Sequence, residues 1–277
     1  MTRRGMLAPP GPEPLAAVRD ALAAMAARPE LPPLVGLAPG LTATAGDGWM
    51  PAAALVDGTA LPDFLDAAQR RWRATPHAAA ALAWKCYTYW LALPAVLGYA
   101  VARRVPLVRP EAVVVRWSRH QPFVAVGLTS PEVAVRSNDP LAITAGAGQR
   151  GPGGAAGSAV RVVADDAALL AELRVSLMDE HLSPMLEQIQ IRVHLGQRTL
   201  WGSLASGVAY AMSRAADIIP EPALPTTYEI LKTLGLDDLV EISAARDGRS
   251  GLDIQRRTCC LAFTLPEPKI CAGCCIR

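Results

Sequence analysis

The chain reads as an α+β protein, predominantly helical, with a small antiparallel sheet in its middle and an irregular tail at its C-terminal end. Three observations point there. On both sides of the centre, long stretches repeat apolar residues at three and four positions. Between residues 111 and 164 the pattern shortens to β-branched runs cut by turn residues. The last nineteen residues, Cys259 to Arg277, hold five of the six cysteines together with Pro266 and Pro268. The chain accordingly divides into a mainly helical region 1–110, a strand region 111–164, a second helical region 165–254 and a tail 255–277. No internal repeat and no sharp change of composition marks a firm boundary between them.

The 277 residues are enough to bury a substantial core. Charged residues make up 19% and the net charge is +2, with no basic block, so nucleic acid is not expected as a partner. Apolar residues reach 51% while aromatics are only 5%, which places most of the packing on Ala, Leu and Val.

Residues 1–14 are rich in Pro and Gly and are expected to be loose. Leu15 to Ala27 has helical spacing. Pro29 to Gly48 is a long connection. Leu61 to Ala74 is a helix with Asp63 near its start and Arg70, Arg71 and Arg73 toward its end, a charge order that suits the helix dipole. Thr75-Pro76 is a boundary, and a long helix follows from about His77 to Ala102, kinked at Pro94. Trp84, Tyr87, Tyr89 and Trp90 give it an aromatic patch that serves the core or lines a ligand pocket.

After Pro110, Ala112–Trp117, Phe123–Leu128 and Val133–Arg136 read as antiparallel strands, with another at Ser158–Val163. The glycine-rich stretch from Thr144 to Ser158 reads as a flexible loop. It lacks the spacing and the Lys-Ser/Thr ending of a phosphate loop. Asp165 to Ile191 is helical, capped by Asp165-Asp166 and divided near Ser183-Pro184. Within it, Glu180 and His181 are adjacent. Adjacent helical side chains point about 100° apart, so they do not form the two-histidine zinc arrangement. Arg198 to Ala215 is a helix with several small residues. Glu221 to Ile230 reads as a punctuated connection, Tyr228 to Leu234 as a short helix and Val240 to Ser243 as a strand.

Two targeting questions arise. The opening residues carry two arginines but no apolar core, unlike a secretory signal. Cys86 to Ala102 is 17 residues without a charge, at the short limit for a bilayer span, and is expected to be a buried core helix instead. A cytoplasmic protein follows, and there persistent disulfides are rare.

That compartment shifts the cysteines toward metal or redox chemistry. Cys259, Cys260, Cys271 and Cys274 could supply the four thiolates of a [2Fe–2S] cluster. Tetrahedral zinc is a rival, although structural zinc sites usually pair two spaced Cys-x2-Cys elements and Cys259-Cys260 is not one. A redox dithiol at Cys271 and Cys274 would want a βαβ context and would leave Cys259 and Cys260 unexplained. Arg256, Arg257 and Lys269 flank the thiols.

The order Cys-Cys-x10-Cys-x2-Cys after Arg256-Arg257-Thr258 resembles the C-terminal motif of ferric siderophore reductases of the FhuF type. Leu177 to Pro184 (LMDEHLSP) and Leu200 to Ser206 (LWGSLAS) are also similar to that family, so the resemblance spans roughly residues 80–277. It implies a cytoplasmic [2Fe–2S] oxidoreductase with Cys259, Cys260, Cys271 and Cys274 as ligands. The substrate would be Fe(III) held in a siderophore, typically of hydroxamate type, and the electron donor a protein such as a ferredoxin or a reductase. The helical C-terminal region of that family is also related to part of the siderophore synthetases. Glu180, His181 and Trp201 would then face the substrate or support its wall, while Arg256 and Arg257 would dock the donor or tune the cluster. Cys275 departs from the four-cysteine pattern. The alternatives are a zinc-stapled binding or assembly protein, and a siderophore-biosynthesis or iron-trafficking protein with a structural cluster.

Overall fold

A computed structural model describes residues 13–118, 122–148, 159–246, 251–271 and 273–276. The first expected segment, residues 1–14, therefore lies almost wholly outside the described residues, as does most of the glycine-rich stretch.

The chain opens with α1 (Ala16–Ala26), then β1 (Leu37–Thr42), β2 (Met50–Pro51), the single turn α2 (Ala53–Val56) and α3 (Leu61–Trp72). The central helix α4 runs Pro76–Ala102. It starts where expected: the Thr75 side chain accepts from the Ala78 amide at 3.4 Å, and proline follows at the first helical position. It passes unbroken through Pro94, contrary to the boundary a proline usually makes, because the surrounding elements bury it on nearly every side. Among the described residues no helix is long and apolar enough to cross a membrane.

Next come β3 (Arg104–Pro106), β4 (Val113–Trp117), β5 (Val124–Leu128), β6 (Val133–Arg136), α5 (Pro140–Gly148) and β7 (Val160–Val163). The expected strands are present, but they do not make one antiparallel sheet. β4 and β5 pair antiparallel from Val113 opposite Leu128 to Trp117 opposite Val124, and β2 adds to β4. β1, from the expected connection, joins the other edge parallel to β5. β6 leaves that sheet for a second one, antiparallel to β3 and parallel to β7. Both sheets are therefore mixed. The expected loop from Thr144 begins inside a helix, since Asp139 accepts from the Leu141 amide at 2.8 Å and starts α5.

The second half holds α6 (Asp166–Arg174), a π-helical stretch Val175–Leu182, α7 (Ser183–Val193), α8 (Gln197–Ala215) and α9 (Ala223–Leu234). α9 begins five residues earlier than the sequence pattern suggests, because Pro222 precedes it and Pro225 falls in its first turn, where the missing N–H costs nothing. A hairpin of β8 (Val240–Ala244) and β9 (Leu252–Arg256) ends the body. β9 was not expected. One apolar cluster runs from Leu15 to Leu252, through all the helical and strand regions. α8 packs along α4, and Trp84 of α4 donates its indole N–H to the Leu200 carbonyl at 2.8 Å. A separate small cluster joins Leu82 of α4 to Cys260, Ala262 and Leu265 of the tail.

Candidate metal centre

The tail is a loop that leaves β9 and returns to it. Beyond Arg256 the chain passes Cys259 and Cys260, turns at Leu261 with φ 60° and makes one 3-10 turn, Ala262–Thr264. The Lys269 amide then donates to the Ala262 carbonyl at 3.0 Å, closing the proline-containing part of the loop. The return is fixed where the Arg256 amide donates to the Gly273 carbonyl at 2.9 Å and the Gln255 side chain donates to the Cys274 carbonyl, also at 2.9 Å. A Cβ on Gly273 would lie 1.9 Å from the Ile254 carbonyl oxygen, and its φ is 58°, so only glycine fits there. Gly202 of α8 has the matching role below the loop: a Cβ there would lie 1.8 Å from the Thr258 hydroxyl.

This closure brings the two halves of the cysteine pattern together. The sulfurs of Cys260 and Cys271 are 3.4 Å apart. Cys259 accepts from the Leu261 amide at 3.3 Å. Burial raises its pKa, and the charges of Cys260, Cys275 and Cys274 raise it further, so all of these thiols lie within its electrostatic reach. Cys260 and Cys274 are buried; Cys259, Cys271 and Cys275 are partly exposed. Among the described residues, no three His, Cys, Asp or Glu side chains form a group that could hold one metal ion. A two-iron cluster asks for a different arrangement, two thiolates on each iron.

Cations lie close to the sulfurs. The Lys85 ammonium is 3.4 Å from the Cys271 sulfur. Hydrogen bonding from Cys271 lowers the pKa of Cys260, with Lys85 and Arg256 acting in the same direction against burial. The same hydrogen bond raises that of Cys271. Arg256 is 2% exposed, with Nη2 donating to the Ser203 hydroxyl at 3.1 Å and Nε to the Thr258 carbonyl at 3.3 Å. Its Nη1 and the Thr258 hydroxyl are both buried without a hydrogen-bond partner. No ion pair joins Arg256 to a carboxylate among the described residues.

The other expected residues fall elsewhere. Arg256 has a buried side chain, which offers a donor protein no surface to dock on. Arg257 is exposed, 3.8 Å from Glu241. His181 is fully buried and cannot face a substrate. The Val108 carbonyl can only accept, so Nδ1 donates to it at 2.6 Å and Nε2 accepts from the Tyr87 hydroxyl at 2.6 Å. Burial lowers its pKa to about 4 and keeps it neutral. Glu180 points outward into an ion-pair network with Arg109 at 2.9 Å, which Glu132 shares at 2.6 Å. Trp201 is half-buried, edge-on to Trp84 with centroids 5.6 Å apart. None of these contacts reaches the tail. The aromatic patch of α4 is core: Trp84 and Tyr87 are fully buried and Tyr89 packs edge-on to Trp90.

Lys85 and Tyr210 complete the surroundings and escaped the sequence reading. Tyr210 has its pKa raised by burial and by the charges of Cys271 and Cys260. Lys85 had one signal, being the sole Lys, Arg, Asp or Glu in α4. No family model matches the chain, and no curated protein matches it significantly.

Proposed function

We propose that the chain is an iron–sulfur oxidoreductase of the cytoplasm, with Cys259, Cys260, Cys271 and Cys274 holding a [2Fe–2S] cluster and siderophore-bound Fe(III) as substrate. The observation that carries this reading is the closed tail loop, which brings Cys260 within 3.4 Å of Cys271, beside Lys85 and within reach of the buried Arg256. A guanidinium buried without a carboxylate is costly unless an anion accompanies it. Four thiolates ligating iron supply such an anion, so the donor set and its charge fit the cluster.

When bound, the cluster supplies one electron to ferric iron, which is then held far less tightly by hard oxygen ligands. The chain's own residues prepare the place. The cysteines provide soft ligands. Lys85 and Arg256 offset negative charge and favour electron uptake. Gly202 and Gly273 let the loop lie flat on α8 and β9. Partial exposure of Cys259 and Cys271 keeps the site near solvent, where a donor such as a ferredoxin or a reductase and a ferric chelate can approach. Arg257 offers an exposed cation to an acidic donor.

The test is anaerobic. Protein carrying the cluster is reddish-brown; it is reduced chemically, freed of reductant and mixed with a panel of ferric siderophores. Return of the oxidised visible spectrum, with stoichiometric Fe(II), is the expected result. A cluster that stays reduced in every mixture removes the reductase reading and leaves biosynthesis or trafficking. A colourless protein that retains zinc replaces it with a zinc-stapled binding protein.

A further inference from the structure

A groove of about 190 Å³ lies beside the sulfur site, lined by Arg71, Trp72, Arg73, Leu265, Glu267 and Lys269. Leu265 belongs to the packed cluster that contains Cys260, and Trp72 and Cys271 pack against that cluster. The groove and the thiols therefore share a wall. Its charge is three cations against one carboxylate.

Two features set these cations apart. Among the described residues, no carboxylate forms an ion pair with Arg71, Arg73 or Lys269, and the Arg71 Nε is buried without a hydrogen-bond partner. Arg73 ends α3 in the left-handed region with φ 51°, where glycine is the usual choice. Among the described residues, the only other helix ended by a left-handed arginine is α4. There Arg103 pairs with Asp166 at 3.2 Å and with Glu221, and stacks 4.3 Å over Tyr99. Among the described residues, Arg73 has no such ion pair or ring contact. The helix dipole accounts for cations in the last turn of α3. It does not account for Lys269, which the tail brings to the same groove from 196 positions further along the chain.

We infer that this groove recognises the ferric chelate, and that it selects chelates with net negative charge, whose carboxylate or catecholate oxygens meet the two arginines and Lys269. This rests on the reductase reading and sharpens it, because a charge-neutral trihydroxamate complex offers these cations no counter-charge. Arginine suits planar oxyanions through its paired donors, and Trp72 offers a ring face to the ligand's apolar part.

Binding is measured first with redox-inert gallium(III) complexes: a catecholate trianion, a citrate anion and a neutral trihydroxamate. At low salt the anionic complexes bind at least about tenfold tighter than the neutral one, and the gap narrows as salt rises. Arg71→Gln, Arg73→Gln and Lys269→Gln each weaken anion binding by roughly three- to tenfold and leave the neutral complex unchanged. Glu267→Gln strengthens it by about two- to threefold, a gain that misfolding cannot produce. The catecholate and citrate arms tell which oxyanion is preferred. Equal affinity for neutral and anionic complexes, or variants without effect, overturns the inference. So does an acidic protein that alone responds to the variants. The corresponding ferric complexes separate the two readings. Equal reoxidation of the reduced protein by neutral and anionic chelates sinks the selectivity and keeps the reductase. Selective gallium binding without any reoxidation does the reverse.

Discussion

Cys275 and Cys271 differ in what surrounds them. Cys271 lies 3.4 Å from the Cys260 sulfur and 3.4 Å from the Lys85 ammonium, whereas Cys275 is a partly exposed thiol near Cys259. Cys271→Ser should abolish or strongly alter the visible absorption of iron-loaded protein, and Cys275→Ser should leave it intact. Unchanged absorption in the first variant takes Cys271 out of the ligand set. His181 makes a different prediction, one about stability. Its folded pKa of about 4 lies below the ordinary 6.5 because the ring is buried. The unfolded chain therefore binds a proton that the folded chain refuses. Stability from this group is fully present above pH 6.5 and is lost as pH falls toward 4, by roughly 3 kcal/mol across that window. Urea midpoints between pH 7 and 4.5 should fall less steeply for His181→Gln than for the native chain; parallel curves would refute the assignment. At this scale the sequence spoke unevenly. The cysteines were legible because five thiols in one tail are a local signal. Lys85 and Ser203 were not, because their partners, Cys271 and Arg256, are far away in sequence. Arg256 was expected to dock a donor or tune the cluster, but its burial was not legible, because only β9 and α8 closing over it bury it.

Helices were legible where apolar spacing, caps and charge order agreed, as in α3 and α4. Strand pairing was not. The runs that form β4, β5 and β6 were visible, but alternation along a strand says nothing about which neighbour it takes. So the parallel pairings of β1 with β5 and of β6 with β7 had no local signature. β9 escaped for another reason: Leu252–Arg256 alternates polar and apolar residues too briefly to stand out. The end of α3 supports a prediction of its own. An arginine in the left-handed region is strained by about 1 kcal/mol or more. Arg73→Gly should therefore stabilise the chain by roughly 0.5–1 kcal/mol, while anion binding in the groove weakens. Thermal melts and gallium-chelate titrations on the same variant check both signs. A variant that is less stable would mean that the Arg73 side chain is held by contacts within the fold.

Across the molecule, the body and the tail are packed differently. The main apolar cluster spans α1 to β9, while the tail contributes to a small one that meets the body at Leu82, Trp72 and Ala74. A chain ending at Thr258 should keep its far-UV circular dichroism and cooperative unfolding. It should lose roughly 3 kcal/mol of burial from Cys260, Ala262 and Leu265, a drop of about 5–12 °C in Tm. Loss of cooperative unfolding would show that the tail is integral to the core. The shared wall at Leu265 has an effect that reaches past stability. An anion in the groove and negative charge at the sulfurs, on two sides of that wall, would repel, and such coupling acts equally in both directions. Whatever factor the ligand imposes on electron uptake at the thiols, electron uptake imposes on retention of the ligand. On the proposed reading, the groove would then be more than a docking place, for it would link the arrival of an electron to the departure of the chelate.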